Sequence, residues 1–252
     1  NFPAIQVYFF CYKMLTQPEE IIHFKTLKQL LKTHHRLFPS SELKDIYLLK
    51  INFCIKKINT GQHDFFRHIF ELYQDGLALG IFLENGYLSR FTYKNISSTA
   101  LHLNEFDWVE QFLQSYKESI EPVYRNSAFH FNMAILCYRK KEYDRGLQFL
   151  QQSECDGGLE KCIARQRLLR TYFEMNETDA LISLLESFKN YIYRHRKHIG
   201  YHWESYANLI KFTKKMVQNQ YHKKAQKLLK EAIVTTKFVA DKAWLLEQLE
   251  NR

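Results

Sequence analysis

Glycine and proline are scarce in this sequence: its 252 residues include 8 glycines and 4 prolines. At average usage a chain of this length would carry roughly 30 of the two together. Because these residues dominate turns, a chain with so few of them is expected to form few turns. The shortage argues against an all-β fold with many hairpins and favours long helices joined by short loops.

Long apolar runs are also missing, and none approaches the ~18 residues that a membrane-spanning helix needs. The run "VYFFCY" at 7–12 is too short to span a bilayer, and it has neither a basic leader nor a small-residue cleavage site. We therefore expect no membrane association and a cytoplasmic location. The sequence begins at Asn1 without a methionine, and we expect it to be a fragment of a longer protein.

The cysteines do not form a recognisable framework. There are five of them, an odd number, and no two are spaced as CxxC: Cys11, Cys54, Cys137, Cys155 and Cys162. Most lie inside apolar helical patterns, which is typical of free, partly buried thiols in a reducing compartment. We predict no zinc site from them.

Three histidines, His195, His198 and His202, are three and four positions apart, a spacing that would align imidazoles on one helix face. A metal site would need neutral rings and convergent geometry. Gly200 is expected to interrupt the helix between them, and the surrounding positive charge repels a cation. We therefore favour exposed, partly protonated histidines over a metal site.

Recognisable catalytic motifs are absent as well. The sequence contains no Gly-rich phosphate loop, no GxSxG, no HExxH and no DxD-type cluster. We therefore predict a protein that is not an enzyme and that uses no cofactor.

What the sequence does contain is helical periodicity, with apolar residues recurring at intervals of three and four. The predicted helices span 4–15, 18–36, 41–59, 63–79, 91–103, 105–119, 122–140, 142–153, 158–175, 178–196, 202–219, 222–237 and 240–250. The stretch "IFLENGYLSRF" at 81–91 contains an Asn-Gly pair that would suit a β-hairpin. We interpret it as a loop between helices.

Small residues recur seven positions apart within three of these predicted helices. The pairs are Gly146/Ser153, Ala180/Ser187 and Ala225/Ala232. Seven residues make two helical turns, so each pair lies on one face, where small side chains let two helix axes approach closely. A leucine follows the first member of each pair four positions later. This recurrence, at uneven spacing, indicates an internal repeat of irregular length.

Residues 128–153, "AFHFNMAILCYRKKEYDRGLQFLQQS", resemble a tetratricopeptide repeat. Ala134, Gly146 and Ser153 match the three small sites of that family at its spacings of twelve and seven. Tyr143 matches the aromatic residue of the turn. The segments 52–73 and 95–116 match less well, because larger residues occupy the positions of the small ones.

The resemblance implies an all-α fold, a right-handed α-solenoid of about six helix-turn-helix hairpins. We expect a single helical repeat domain over 1–252, with an irregular helical part at 1–90 and clearer repeats at 91–252. Residues 50–118 also resemble a group of uncharacterised bacterial proteins with helical-repeat C-terminal halves, a likeness that supplies no activity.

In tetratricopeptide proteins the first helix of each hairpin lines a concave groove that binds protein or peptide partners. The resemblance therefore implies a non-enzymatic interaction scaffold. The groove residues that it implies are Lys94, Ser98, Leu101 and His102 in one repeat and Phe131, Ile135, Tyr138 and Arg139 in the next. The apolar members of this set suit a core equally well.

Positive charge is concentrated in one stretch. Residues 191–230 contain ten Lys and Arg and a single acid, Glu204, in a chain with a net charge of +9. The patch begins with Arg194, Arg196, Lys197, Lys211, Lys214 and Lys215. Interleaved aromatic residues such as Trp203 and Tyr221 suit phosphate contacts and base stacking. Three interpretations stay open: a solvated helix face, a dock for an acidic protein partner, and nucleic-acid binding as the alternative function.

Overall fold

The computed structural model describes residues 2–153, 158–219 and 222–251. These residues form fourteen α-helices, one short 3-10 helix and one two-stranded hairpin, so the prediction of an all-α fold is confirmed. The chain divides into two compact units, Asn1–Leu136 and Cys137–Arg252. A single repeat domain over 1–252 stays a prediction.

The first unit consists of helices that pack in pairs along the chain. Their bounds are α1 Pro3–Thr16, α2 Ile21–His34, α3 Ser40–Asn59, α4 Phe65–Ala78, α5 Arg90–His102, α6 Phe106–Ser115 and α7 Pro122–Arg139, with a 3-10 turn at His35–Leu37. Helix α1 packs on α2, α3 on α4, and α5 on α6. Aromatic rings fill part of this core: Phe24 lies 5.4 Å from Phe53 and 6.0 Å from Phe65 between ring centroids. The boundary between the two units falls inside α7.

The interpretation of 81–91 as a loop was wrong, because the stretch contains a β-hairpin. Strands β1 Leu83–Glu84 and β2 Tyr87–Leu88 pair antiparallel. Asn85 and Gly86 both have positive φ, 51° and 83°, as a tight two-residue hairpin turn requires. The two-residue strands are too short to show an alternating pattern in the sequence, so the Asn-Gly pair was their only signal.

The second unit begins with the last residues of α7. Its further helices are α8 Tyr143–Gln152, α9 Gly158–Glu174, α10 Thr178–Arg194, α11 Arg196–Ile199, α12 His202–Gln218, α13 Lys223–Thr235 and α14 Lys242–Glu250. Helix α9 packs on α10, α10 on α12, and α13 and α14 on each other and on α12. Leu169, Phe188, Leu209, Ile233 and Leu245 are fully buried in its core. All thirteen predicted helices are present with ends shifted by a few residues, and the four-residue α11 was not predicted.

One turn geometry recurs after α3, α4, α5, α7 and α9. Each of these helices is followed by a residue with positive φ: Gly61, Gly80, Asn104, Lys141 and Asn176. The next residue donates its N–H to the carbonyl five positions earlier, as Glu105 does to Ala100 at 3.0 Å and Glu142 does to Cys137 at 2.8 Å. This bond closes a Schellman cap, which satisfies carbonyls that the end of a helix would otherwise leave unpaired.

After the turns that follow α5, α7 and α9, the next helix begins with the same two types of acidic residue. A glutamate precedes the first helical residue, and an aspartate follows in the first turn: Asp107 in α6, Asp144 in α8 and Asp179 in α10. A carboxylate there interacts favourably with the positive end of the helix dipole. The same local chemistry therefore begins α6, α8 and α10.

The seven-residue spacing of small residues only partly marks helix contacts. In α10 the buried stripe is formed by Leu181, Leu185, Phe188 and Ile192, one position on from the small residues. Ala180 consequently lies half-buried at the edge of this stripe, and Ser187 is exposed. Ala232 of α13 is exposed as well. The prediction that both members of each pair lie at a helix contact was therefore wrong.

Candidate functional site

An open cleft of about 660 Å³ lies in the second unit among the end of α7, the C-terminal turn of α9 and α14. We call it the α9/α14 cleft. Its lining includes Tyr138 and Arg139 of α7, Arg170 and Glu174 of α9, and Trp244 of α14. Arg170 and Glu174 are one turn apart on α9, so both side chains lie on the same helix face.

Glu174 is the acceptor at the centre of this cleft. Its carboxylate accepts hydrogen bonds from the Tyr138 hydroxyl, from the Tyr143 hydroxyl at 2.7 Å and from the indole Nε1 of Trp244 at 2.8 Å. The three donors come from α7, α8 and α14. Because hydrogen bonds to an ionised group are stronger than neutral ones, this carboxylate fixes three helices around one wall of the cleft.

Arg170 lies against two aromatic rings beside that carboxylate. Its Nε donates to the Tyr138 hydroxyl at 3.0 Å, and its guanidinium carbon is 4.7 Å from the Tyr138 ring centroid and 5.5 Å from that of Trp244. A longer contact of 3.5 Å joins it to the carboxylate of Asp241, the residue before α14. These contacts hold the guanidinium in a fixed position through cation–π and charge attraction.

A second guanidinium, that of Arg167, lies one turn earlier on α9. Burial lowers the pKa of Arg167, and Arg170 acts in the same direction, whereas Asp241 opposes both. Its Nε is buried and has no hydrogen-bond partner within the part of the chain that the structure describes. The carboxylate of Asp241 therefore interacts electrostatically with both Arg167 and Arg170.

The two phenols of the cleft are hydrogen-bond donors over the physiological pH range. Burial raises the pKa of Tyr138 well above its ordinary value, and Arg170 opposes the rise while Glu174 adds to it. Burial, with the hydrogen bond to Glu174, raises the pKa of Tyr143 to about 12. Both hydroxyls thus keep their protons, so that each can donate to the carboxylate.

The groove residues implied by the tetratricopeptide resemblance are divided between the two units. Tyr138 and Arg139 lie in the second unit and line the α9/α14 cleft. The other six lie in the first unit, where Phe131 and Ile135 of α7 are half-buried.

The four predicted groove residues of α5 do not share one environment. Lys94 and Ser98 are exposed, and the exposed ring of His102 stacks on Phe66 with 3.6 Å between centroids. Leu101 is 3% exposed. It belongs to the core and not to a groove, because it lies on the buried face of α5.

The predicted basic patch contributes to a second cleft, of about 720 Å³, between α10 and α12. We call it the lysine groove. Lys211, Lys214 and Lys215 of α12 line it together with Lys189 of α10. The other three predicted cations, at 194, 196 and 197, are exposed near the end of α10, and the guanidinium of Arg196 lies 3.9 Å from the ring centroid of Trp203.

Acids from outside the stretch 191–230 neutralise part of its charge. Lys214 pairs with Glu186 of α10 at 2.7 Å, and Lys230 pairs with Glu250 of α14 at 2.7 Å. A count of charges along the sequence therefore overstates the local excess, because the neutralising carboxylates come from neighbouring helices.

The histidines and cysteines form no metal cluster in the described ranges: no group of three or more His, Cys, Asp or Glu is placed to hold an ion there. The rings of His195 and His198 are 6.4 Å apart between centroids, and Gly200, with φ of 63°, ends α11 before His202. The thiols of Cys11, Cys54 and Cys162 are free and buried, and Cys137 is buried as well. The predictions for Cys155 and Tyr221 lie outside the described residues.

Reasoning from the sequence missed Arg170, Glu174 and Trp244. The i, i+4 spacing of Arg170 and Glu174 on a predicted helix was a visible signal, although such pairs are common on solvated faces. Trp244 had no signal, since its partner Glu174 lies 70 positions away along the chain.

Comparison with known proteins places the chain in no family: no protein-family model matches it, and no curated protein matches it significantly. Among the helices that the structure describes, none is long and apolar enough to cross a membrane.

Proposed function

We propose that this chain is a non-enzymatic scaffold, an α-solenoid of tetratricopeptide-like hairpins that binds a protein or peptide partner. The Schellman turn that joins successive helices after α3, α5, α7 and α9 supports a repeated hairpin unit. Stacked repeats of this kind use their extended surfaces for binding. The buried free thiols of Cys11, Cys54 and Cys162 support a reducing compartment such as the cytoplasm.

The α9/α14 cleft is the site that we propose for the partner. The observation that carries this proposal is that Tyr138 of α7 and Arg170 of α9 line one open cleft together with residues of α14. The Glu174 hydrogen bonds hold its wall in place before any ligand arrives, which lowers the entropic cost of binding.

The chemistry of the cleft suits an extended peptide. The amide side chains of Asn176, Gln248 and Asn251 line it, and an amide can both donate to and accept from a peptide backbone. The half-buried ring of Tyr143 supplies apolar contact area, and Arg139 adds a positive charge at the cleft. We therefore expect a peptide that combines backbone hydrogen bonds with at least one carboxylate.

A peptide-display selection against the purified chain tests this function. Peptides that it enriches are measured by fluorescence anisotropy against the chain, against Arg139→Glu and against Lys161→Glu, which makes the same charge change at an exposed position of α9 outside the cleft. We expect Arg139→Glu to weaken binding about tenfold or more, equivalent to about 1.4 kcal/mol, and Lys161→Glu to leave it unchanged. Equal loss in both variants, or no enriched peptide, would contradict the proposal.

A further inference from the structure

We propose that the lysine groove between α10 and α12 is a second binding site, which takes an acidic amphipathic helical segment of a partner protein. This inference concerns a different surface from the α9/α14 cleft and does not depend on the function proposed for that cleft. It rests on the shape, the apolar floor and the charge of the groove.

The groove runs along both helices because its lining residues follow the helical period. The lining positions on α10 are three and four residues apart: Glu186, Lys189 and Tyr193. Those on α12 follow the same spacing: Ala207, Lys211, Lys214 and Gln218. On α12 the lining residues extend from 203 to 218, which at 1.5 Å per residue is roughly 20 Å. That length matches a partner helix of about four turns.

The floor of the groove is apolar. Ile192 and Ile210 are buried at its base, Ala207 and Trp203 are half-buried, and Tyr193 is 54% exposed. The rings of Tyr193 and Trp203 lie 6.1 Å apart between centroids and extend this surface at one end. An apolar floor between two helices favours a ligand that offers an apolar stripe of its own, as an amphipathic helix does.

The sides of the groove carry unneutralised positive charge. Of its four lysines, Lys214 pairs with Glu186, whereas Lys189, Lys211 and Lys215 have no carboxylate within ion-pair distance among the residues that the structure describes. Complementary charge selects partners and speeds their encounter. Carboxylates on either side of the apolar stripe of a partner helix would meet these lysines.

Two features favour a protein over a nucleic acid in this groove. Glu186 and Glu204 line it. A single strand carries a phosphate at every nucleotide and so meets this repulsion, whereas a helix can carry its carboxylates opposite the lysines and neutral residues opposite the two glutamates. Arg196 already covers a face of Trp203 at 3.9 Å, which removes stacking surface that single-strand binding uses.

Fluorescence anisotropy with designed probes tests the proposal. The first probe is a labelled 14-residue helix-forming peptide of Leu, Ala and Glu with leucines at i, i+3, i+7 and i+10. The second is a scrambled peptide of the same composition without the leucine stripe, and the third is a 15-nucleotide oligothymidine. Each is measured across a salt series against the chain, against Lys211→Glu/Lys215→Glu, and against Lys223→Glu/Lys224→Glu, which makes the same charge change at exposed positions of α13 outside the groove.

We expect the amphipathic peptide to bind at least tenfold more tightly than the scrambled one. Lys211→Glu/Lys215→Glu should weaken it tenfold or more, and Lys223→Glu/Lys224→Glu should have little effect. No peptide binding at low salt, equal binding of the scrambled peptide, or equal loss in the two double variants would overturn the proposal. Tighter binding of the oligothymidine, lost in Lys211→Glu/Lys215→Glu, would also overturn it and assign the groove to nucleic acid. The Arg139→Glu variant should bind the amphipathic peptide normally, so a failure of one site is distinguishable from a failure of the other.

Discussion

The ammonium of Lys50 lies 3.8 Å from the ring centroid of Tyr47, one turn earlier on α3. Lys50 is 1% exposed, although lysine is almost never fully buried. Burial lowers the pKa of Lys50 to about 7, while Asp75 of α4 opposes the shift and Lys28 of α2 adds to it. The interior of the first unit therefore holds a cation whose charge the fold disfavours.

We predict that Lys50 makes the free energy of unfolding rise with pH from about 7, until the buried thiols of Cys54 and Cys162, whose pKa values burial raises, oppose the rise near pH 9. In the unfolded chain this lysine keeps its proton up to its ordinary pKa of 10.5, whereas in the folded chain it releases the proton near 7. Since the unfolded state then binds more protons across that window, the free energy of unfolding increases with pH, by at most about 1.4 kcal/mol per unit. Urea unfolding at pH 7.0, 7.5 and 8.0 measures this slope below the range in which the cysteines of the unfolded chain lose their protons.

Lys50→Met should remove the slope and stabilise the fold by roughly 1–4 kcal/mol near pH 7, since an apolar side chain of similar length replaces a buried cation. Lys56→Met makes the same change at an exposed position of the same helix and should keep the slope. A Lys50→Met protein with an unchanged slope would refute this account of the pH dependence.

Glu174→Gln should destabilise the protein by roughly 1–3 kcal/mol. The amide presents an NH₂ group where the carboxylate accepted, so at least one of the donors Tyr138, Tyr143 and Trp244 loses its partner. Glu231→Gln, at an exposed position of α13, is the matched control and should change the urea midpoint little. Similar midpoints for both variants would show that Glu174 does not hold the wall of the cleft.

Gly76→Ala should destabilise the first unit by about 1–3 kcal/mol through overpacking. A Cβ at this position in α4 would lie 2.2 Å from Cε2 of the Phe82 ring, and that ring is 4% exposed, so it has little room to move. Thermal unfolding measures the loss. The same Gly76→Ala change should cost less stability when Phe82 is already replaced by Leu, because the smaller side chain leaves room for the new Cβ. An equal cost in both backgrounds would exclude the clash.

Lys141→Gly should stabilise the turn between α7 and α8 by roughly 1 kcal/mol. Lys141 has φ of 61°, a left-handed conformation that costs a side-chain-bearing residue about 1–2 kcal/mol and that glycine adopts freely. At Lys140, whose φ is not positive, glycine should be neutral or destabilising. A rise in melting temperature for Lys140→Gly but not for Lys141→Gly would contradict the strain argument.

The helices were predictable because their signals are local. Apolar periodicity and the scarcity of glycine and proline located all thirteen predicted segments. The match of 128–153 to a repeat placed Tyr143 in the turn, whereas the structure makes it the first residue of α8. The β-hairpin at 83–88 escaped prediction because each strand has two residues.

The candidate sites were less predictable because they depend on contacts between distant residues. Tyr138 and Arg139 followed from the repeat resemblance, but the bond from Trp244 to Glu174 joins residues that no local pattern connects. The basic stretch likewise indicated charge without indicating that Glu186 neutralises Lys214. The sequence thus indicated the α7 residues of the α9/α14 cleft and the α12 lysines of the lysine groove, but not the residues that face them.

The recurrent turn after α3, α4, α5, α7 and α9 also bears on the speed of folding. Each turn is closed by bonds that span five positions or fewer, and the helices on either side of the α3, α5 and α9 turns pack against each other. Such neighbours meet after closing only a short loop, and proteins rich in local contacts cross their folding barrier in microseconds to milliseconds. The helix pairs can therefore form early, before the side chains of the α9/α14 cleft, which are far apart in the chain, come together.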